Sequence, residues 1–415
     1  MPRQGNILEE VFDNFLKGSA IFKNRIALRH DYVPESLPHR EEHIRYLGEM
    51  LAPALRGGIC SNILIYGKTG TGKTAVVKFV LSKLASKAEE IGSSVKVCFI
   101  NCRLTGTEYR VFSNLCSSVD VKVPFTGLAV SEVFDRFRKG LDLSNVLLII
   151  ALDEIDAIIR KRGDVLLYEL TRINETLRNS RVTILGISND LKFKEMLDPR
   201  VLSTLSEEEL VFRPYNASEL QDILDERANI AFHDGILTDS AVRLCAALAA
   251  AEHGDARRAL DLLRVAGELA ERKGDPCITE QHVRQAQKRI EHDRVLETMK
   301  SLPTHSKLVL LTVYLMTRFN INRSITGDIY NLYCELCEEM GLVPLTQRRV
   351  SGLISELDVM GLLNSRVISL GRYGRTKKTS LGIPNRVIRE GFAEDERLCT
   401  MLKYRPRYLG DYKGK

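Results

Sequence analysis

The eight residues GKTGTGKT, 67 to 74, set three glycines ahead of a lysine and a threonine. This spacing, G-x-x-x-x-G-K-[ST], is that of a loop that cradles phosphate groups. Gly67, Gly70 and Gly72 let the backbone turn tightly, so its N–H groups face phosphate oxygens. A helix opens at the loop's end, and its N-terminus adds partial positive charge. Lys73 is expected at the β- and γ-phosphates of ATP or ADP, and Thr74 at a Mg²⁺ ion. Lys68, Thr69, Thr71 and Ala75 complete the expected nucleotide contacts.

Two further stretches carry chemistry. VLLIIALDEID, 146 to 156, is an apolar run ending in acids. Asp153 is expected at the C-terminal end of a buried parallel strand, where open α/β sheets bind ligands. It would hold Mg²⁺ directly or through water. Glu154 is suited to orienting or deprotonating an attacking water, and Asp156 reads as a solvated or capping acid. GISND, 186 to 190, ends another strand, and Asn189 is expected to bond the γ-phosphate or the lytic water.

These residues need a scaffold that brings several strand ends together. Strand-like runs occur at 62–66, 95–101, 145–154 and 181–190, with helical segments between them. Alternating strands and helices predict a parallel sheet covered on both faces. After FRPYNASEL the strands stop, and either Asn216 or Ser218 caps a helix. Residues 218–300 read as several helices, and KSLPTHSK marks the next break. The expected division is a nucleotide-binding base at 1–216, a helical lid at 217–300 and a C-terminal domain at 301–415.

Composition bounds the remaining possibilities. The 415 residues are 44% hydrophobic and 27% charged, as in ordinary globular proteins. The N-terminus lacks a secretory pattern, and no apolar run approaches the ~20 residues of a membrane span. No membrane partner is expected. Nine scattered cysteines do not suggest a disulfide framework and fit a reducing intracellular compartment. Cys334 and Cys337 form a lone CxxC in a helix-like run and read as packed or reduced thiols. The net charge is +6, and residues from 301 onward carry 18 Lys and Arg against 11 Asp and Glu. The positive excess therefore sits in the last quarter, which suggests a polyanion partner.

GKTGTGKT, LLIIALDEID and GISND in this order resemble an AAA+ ATPase. LDPRVLSTLSEEELVFRPY (197–215), HGDARRALDLLR (253–264) and HDYVPESLPHREEHIRYL (30–47) narrow the resemblance. They look like archaeal replication initiators, relatives of the eukaryotic origin recognition complex and its cell-division-cycle helicase-loading partner. The resemblance spans essentially the whole chain and is looser after residue 300. It implies that Arg200 is an arginine finger presented to ATP on a neighbouring subunit. Arg257 would reach ATP from the lid of its own chain, while Arg258 points elsewhere. Tyr32, Val33 and Pro34 would lie near the adenine with Arg40 close by, and Tyr215 would join them. A cytoplasmic, nucleoid-associated protein is implied, with double-stranded origin DNA, a paralogous initiator subunit and the replicative helicase as partners.

The C-terminal region reads as helix, turn, helix, hairpin. SITGDIYNLYCELCEEMGL is one helix, VPL breaks it, and TQRRVSGLISELDVMGLL is the next, capped by Thr346. Val350, Leu353, Ile354 and Leu357 share one face of it, whereas Gln347, Arg348 and Ser351 lie off that face. SRVISLGRYGRTKKTSLGIP would follow as a two-stranded wing. This architecture resembles a winged helix, whose recognition helix meets base edges through its N-terminal residues, here Arg348 and Arg349. At the wing tip, Arg372 and Arg375 suit a narrow minor groove, flanked by Tyr373, while Lys377 and Lys378 suit phosphates. The family also has a DNA-facing helical insertion in its base domain. Here that region is 104–141, with Arg110, Arg136, Arg138 and Lys139 as its bases.

The leading expectation is an initiator that uses ATP binding and slow hydrolysis as a switch. A clamp-loader-type or helicase-type motor is disfavoured by the winged-helix end. An ATP-dependent transcription regulator stays open. A small-molecule kinase does not account for the lid, Arg200 or the basic C-terminus.

Overall fold

The apolar runs form strands of one parallel sheet, and a fifth strand joins them. The computed structural model describes residues 20–30, 32–320, 324–369 and 375–407. β1 (Ile63–Gly67), β2 (Val95–Asn101), β3 (Leu147–Asp153), β4 (Arg181–Ser188) and β5 (Glu208–Phe212) lie in the order β2-β3-β4-β1-β5. Every residue of β3 is buried, as a central parallel strand requires. Ile149 and Ala151 pack with residues of the helices Glu41–Leu51 and Lys73–Ile91. Leu148, Ile150 and Leu152 pack on the opposite face with the helices Glu108–Ser118 and Val130–Ser144. Each such leucine or isoleucine contributes about 1.5–3 kcal/mol on burial. β5 was not anticipated. Its sequence, EELVF, opens on acids, and exposure alternates along it because it forms the edge beside β1.

The chain divides into two compact units, 1–286 and 287–415. The first holds the sheet and a helical segment with helices Ala217–Ala231, Asp239–Glu252 and Ala256–Lys273. Asn216, one of the two anticipated caps, starts this segment. Its side chain accepts from the Glu219 amide, and Glu219 accepts from the Asn216 amide at 2.9 Å, a reciprocal capping box.

The second unit contains helices Thr304–Arg318, Thr326–Glu339 and Gln347–Val359, then the antiparallel pair β6 (Leu363–Ser369) and β7 (Arg375–Leu381). Thr346 caps the third helix, accepting from the Arg349 amide at 3.4 Å. Val350, Leu353, Ile354 and Leu357 are buried, so the apolar spacing does select the inward face. Tyr333 is fully buried, with its hydroxyl 2.6 Å from His305 Nδ1 and accepting from the Leu345 amide at 3.2 Å. Cys337 packs into this core, and burial pushes its thiol up. No helix among the described residues is long and apolar enough to cross a membrane.

Candidate nucleotide site and nucleic-acid interface

β1 delivers the glycine loop to one edge of the sheet, and the helix Lys73–Ile91 leaves from it. Gly70 has φ +70° and Gly72 φ +90°, in the left-handed region that favours glycine. Neighbours enforce the same choice. A Cβ on Gly70 would lie 1.7 Å from Asp255 Oδ1, and one on Gly67 would lie 2.4 Å from the Phe212 carbonyl. Lys73 Nζ donates to the carbonyls of Gly67 at 2.8 Å and Lys68 at 2.7 Å, at the foot of the loop. Burial pushes its ammonium down to about 8, against the pull of Asp153.

β3 places Asp153 in register with Asn101 and Ile187. Thr74 Oγ1 donates to Asp153 Oδ2 at 3.1 Å, and the Glu154 amide donates to Oδ1 at 3.1 Å. Asp153 is only 4% exposed, and burial raises its carboxyl despite those bonds. A hydroxyl and a carboxylate side by side are hard oxygen donors, a set that fits Mg²⁺. Glu154 has φ +53°, and its carboxylate lies 3.7 Å from Arg103 Nη1. Asp156 caps rather than faces solvent: its Oδ1 accepts from Ser188 Oγ at 3.2 Å and the Asn189 amide at 3.4 Å. That fixes the end of β4, and Asn189 lines the cavity.

The loop opens onto a cavity. Gly70, Thr71, Gly72, Lys73, Thr74 and Ala75 form one end, and Tyr32, Val33 and Pro34 another part of the wall. Gly67, Lys68 and Thr69 do not line it, and neither do Asp153, which meets it through Thr74, and Glu154. Arg257 and Tyr215 line it too. Asp255 caps the helix Ala256–Lys273, accepting from the Arg257 amide at 2.8 Å, and the Ala256 amide donates to the Gly70 carbonyl at 3.1 Å. The helical segment is thereby fastened to the loop itself. Arg258 turns away to Glu252, 3.0 Å from it.

Arg40 sits differently from expectation. It does not line the cavity. Its guanidinium lies beneath the loop, donating to the carbonyls of Thr71 at 3.0 Å, His39 at 2.9 Å and Arg213 at 2.8 Å, with the Tyr215 ring 3.8 Å away. It therefore braces the loop from behind. Arg227 was not singled out from the sequence, where no motif marks it, yet it lines the cavity beside Tyr32. Asp255 was also passed over, although an aspartate just ahead of a helix is a recognisable cap signal.

Arg200 lies outside the cavity. Its side chain is 70% exposed and tethered to Asp198, with Nε 3.2 Å from Oδ1.

The candidate nucleic-acid residues are dispersed. Arg348 and Arg349 stand exposed in the first turn of the helix Gln347–Val359, and Arg349 pairs with Glu356 at 3.2 Å. Lys378 is exposed on β7, but Lys377 is engaged internally, bonded to Ser355 Oγ and the Ser351 carbonyl. Its ammonium thus ties the hairpin to the helix. Arg372 and Tyr373 fall outside the described residues, as does the Arg375 side chain. In the base insertion, Arg110 lies over the ring of Phe125, which is 74% exposed, at 5.1 Å. Arg136 and Arg138 pair within their own helix with Glu132 and Asp135, both at 2.9 Å, and Lys139 is exposed.

Fold and site together define an AAA+ P-loop ATPase with a helical lid and a C-terminal winged helix. A model of the ATPase family associated with various cellular activities matches residues 63–213, one of the Cdc6 AAA+ ATPase-type lid domain matches 221–288, and one of the CDC6 C-terminal winged helix domain matches 297–391. The chain belongs to the family of ORC1-type DNA replication proteins. It is 50% identical over 394 residues to ORC1-type DNA replication protein 1 of Archaeoglobus fulgidus, covering 95% of this chain and 96% of that one. It is 49% identical over 401 residues to the ORC1-type DNA replication protein of Thermococcus onnurineus, covering 96% and 97%. Among solved structures it resembles the Aeropyrum pernix ORC1 protein in complex with DNA, at 50% identity and a TM-score of 0.82, covering 93% of this chain and all of that one.

Proposed function

We propose that this chain is an ATP-switched initiator that binds double-stranded origin DNA and helps recruit or load the replicative helicase. The observation that carries the reading is the convergence of Lys73, Thr74 and Arg257 on one cavity, in a chain that also bears a winged helix with exposed arginines. The likeness to a DNA-bound ORC1 relative at 50% identity supports the DNA half. The division of labour is a base at 1–216, a lid at 217–300 and a DNA-binding domain at 301–415.

In this reading Lys73 and Arg257 bind the phosphates, while Tyr32, Val33 and Pro34 form the wall beside the adenine. Thr74 and Asp153 hold Mg²⁺, which when bound offsets phosphate charge. Glu154 takes the proton of the attacking water, and Asn189 orients that water. Hydrolysis is slow and switch-like because Arg200, exposed and outside its own cavity, acts on the ATP of a neighbouring paralogous subunit. Arg348 and Arg349 meet base edges, and Arg372, Tyr373, Arg375 and Lys378 meet DNA from the wing, which Lys377 ties to the helix. Arg110 and Arg136 add contacts from the base insertion.

Footprinting on chromosomal origin DNA, with ATP and with ADP, tests the proposal. It expects protection at origins that differs between the two nucleotides. Protection at promoters alone would replace it with a transcription regulator.

A further inference from the structure

The lid contributes a second arginine to the cavity, and it is far from the phosphate loop in sequence. Arg227, on the helix Ala217–Ala231, is 8% exposed. Its Nη1 donates to the Ala27 carbonyl at 3.0 Å and its Nη2 to the Tyr32 carbonyl at 3.3 Å. The guanidinium also lies over the Tyr32 ring, 4.8 Å from its centroid. Among the described residues it forms no ion pair, so burial works against its charge. A buried guanidinium without a carboxylate is costly, and its partners indicate what that cost secures. Both are carbonyls of the segment that leads into the cavity wall Tyr32, Val33 and Pro34.

A guanidinium has a planar fork of donors that can span two carbonyls while its face stacks on a ring. Arg227 uses both properties on one short segment. The adjacent Glu226 accepts from Ser36 Oγ at 3.2 Å, a second tie from the same helix to the chain just beyond Pro34. The helix thus grips the wall from both ends. At the other end of the cavity the lid touches the phosphate loop through Ala256 and Gly70. The lid therefore has separate grips on the two ends of the site.

We propose that Arg227 is a positioning residue through which the lid holds the purine-binding wall, so that it governs recognition of the base and not of the phosphates. This rests on the nucleotide reading of the cavity. It implies that the base and the triphosphate are sensed by the lid through different residues, Arg227 for one and Arg257 for the other.

The test compares two ligands on the full chain: Mg-ATP, and Mg-tripolyphosphate, which keeps the phosphates and lacks the base. Arg227→Ala is expected to lower ATP affinity about tenfold or more while leaving tripolyphosphate affinity within about twofold. Arg227→Lys, which keeps the charge but lacks the planar fork and the face that lies over the Tyr32 ring, is expected to restore little. Equal losses of both ligands in Arg227→Ala, or full rescue by lysine, would overturn the proposal. If the wild-type chain binds neither ligand, the nucleotide reading itself fails instead. The melting temperature of each variant, taken without ligand, separates loss of fold from loss of the wall.

Discussion

The nucleotide cavity and the winged-helix surface both depend on basic side chains, but they hold them in opposite ways. At the nucleotide site Lys73 and Arg227, and Arg40 beneath the loop, are buried and bonded to backbone carbonyls: Lys73 to two, Arg227 to two and Arg40 to three. On the winged helix Arg348 stands exposed and Arg349 has a single surface partner in Glu356. The fold fixes these three charges in advance of any ligand, whereas Arg257 lines the same cavity exposed. The surface leaves its charges to the partner, and exposed pairs of this kind contribute little by themselves. Losses in the cavity should be large and specific. Losses on the surface should be smaller, additive and sensitive to salt.

The largest expected effect belongs to neither region alone. Arg200→Ala should leave ATP affinity intact yet lower hydrolysis in the assembled state by about 10³-fold, the lower end for an arginine finger. Steady-state phosphate release with and without assembly measures it. Next, Lys73→Ala should weaken ATP binding by about 100-fold or more, the usual cost of truncating a buried charge contact. Calorimetric titration measures this, and the variant's DNA salt dependence should not change. On the other side, Arg348→Ala with Arg349→Ala should leave ATP affinity alone. It should relax the sequence preference of DNA binding while leaving the slope of log affinity against log salt nearly unchanged. A slope reduced by about 0.9 for each phosphate no longer neutralised, with sequence preference kept, would assign the pair to phosphates instead.

The smallest effect is a pH dependence. Lys73 is held at about 8 by burial, below its ordinary value of 10.5. Between those values the unfolded chain binds more protons than the folded one, so this group's contribution to stability rises with pH across that window. ATP binding runs the other way, because phosphates favour the charged ammonium. Affinity should fall about fivefold from pH 8 to pH 9. Binding at pH 8.5 should take up protons, visible as a buffer-dependent heat.

Much of this was legible in the sequence, and the reason is local. The phosphate loop, the acidic end of β3, the Asn216 and Thr346 caps and the inward face Val350, Leu353, Ile354 and Leu357 each follow from spacing within one element. What was missed depends on residues far apart in the chain. Arg40 meets the Arg213 carbonyl, and Arg227 meets the Ala27 carbonyl, across separations that no pattern records. Lys377 reads as a phosphate ligand from charge alone, but hairpin register brings it onto Ser351 and Ser355. β5 escaped because an edge strand needs no continuous apolar run.

The central claim is that a preset nucleotide site switches a separate DNA surface. Affinity for origin DNA, measured for the full chain at fixed salt with Mg-ATP and with Mg-ADP, tests it most directly. The account predicts a clear difference between the two nucleotides in the wild type, and none in Lys73→Ala, which should keep the salt dependence of DNA binding. Equal DNA affinity with ATP, with ADP and without nucleotide in the wild type would contradict it.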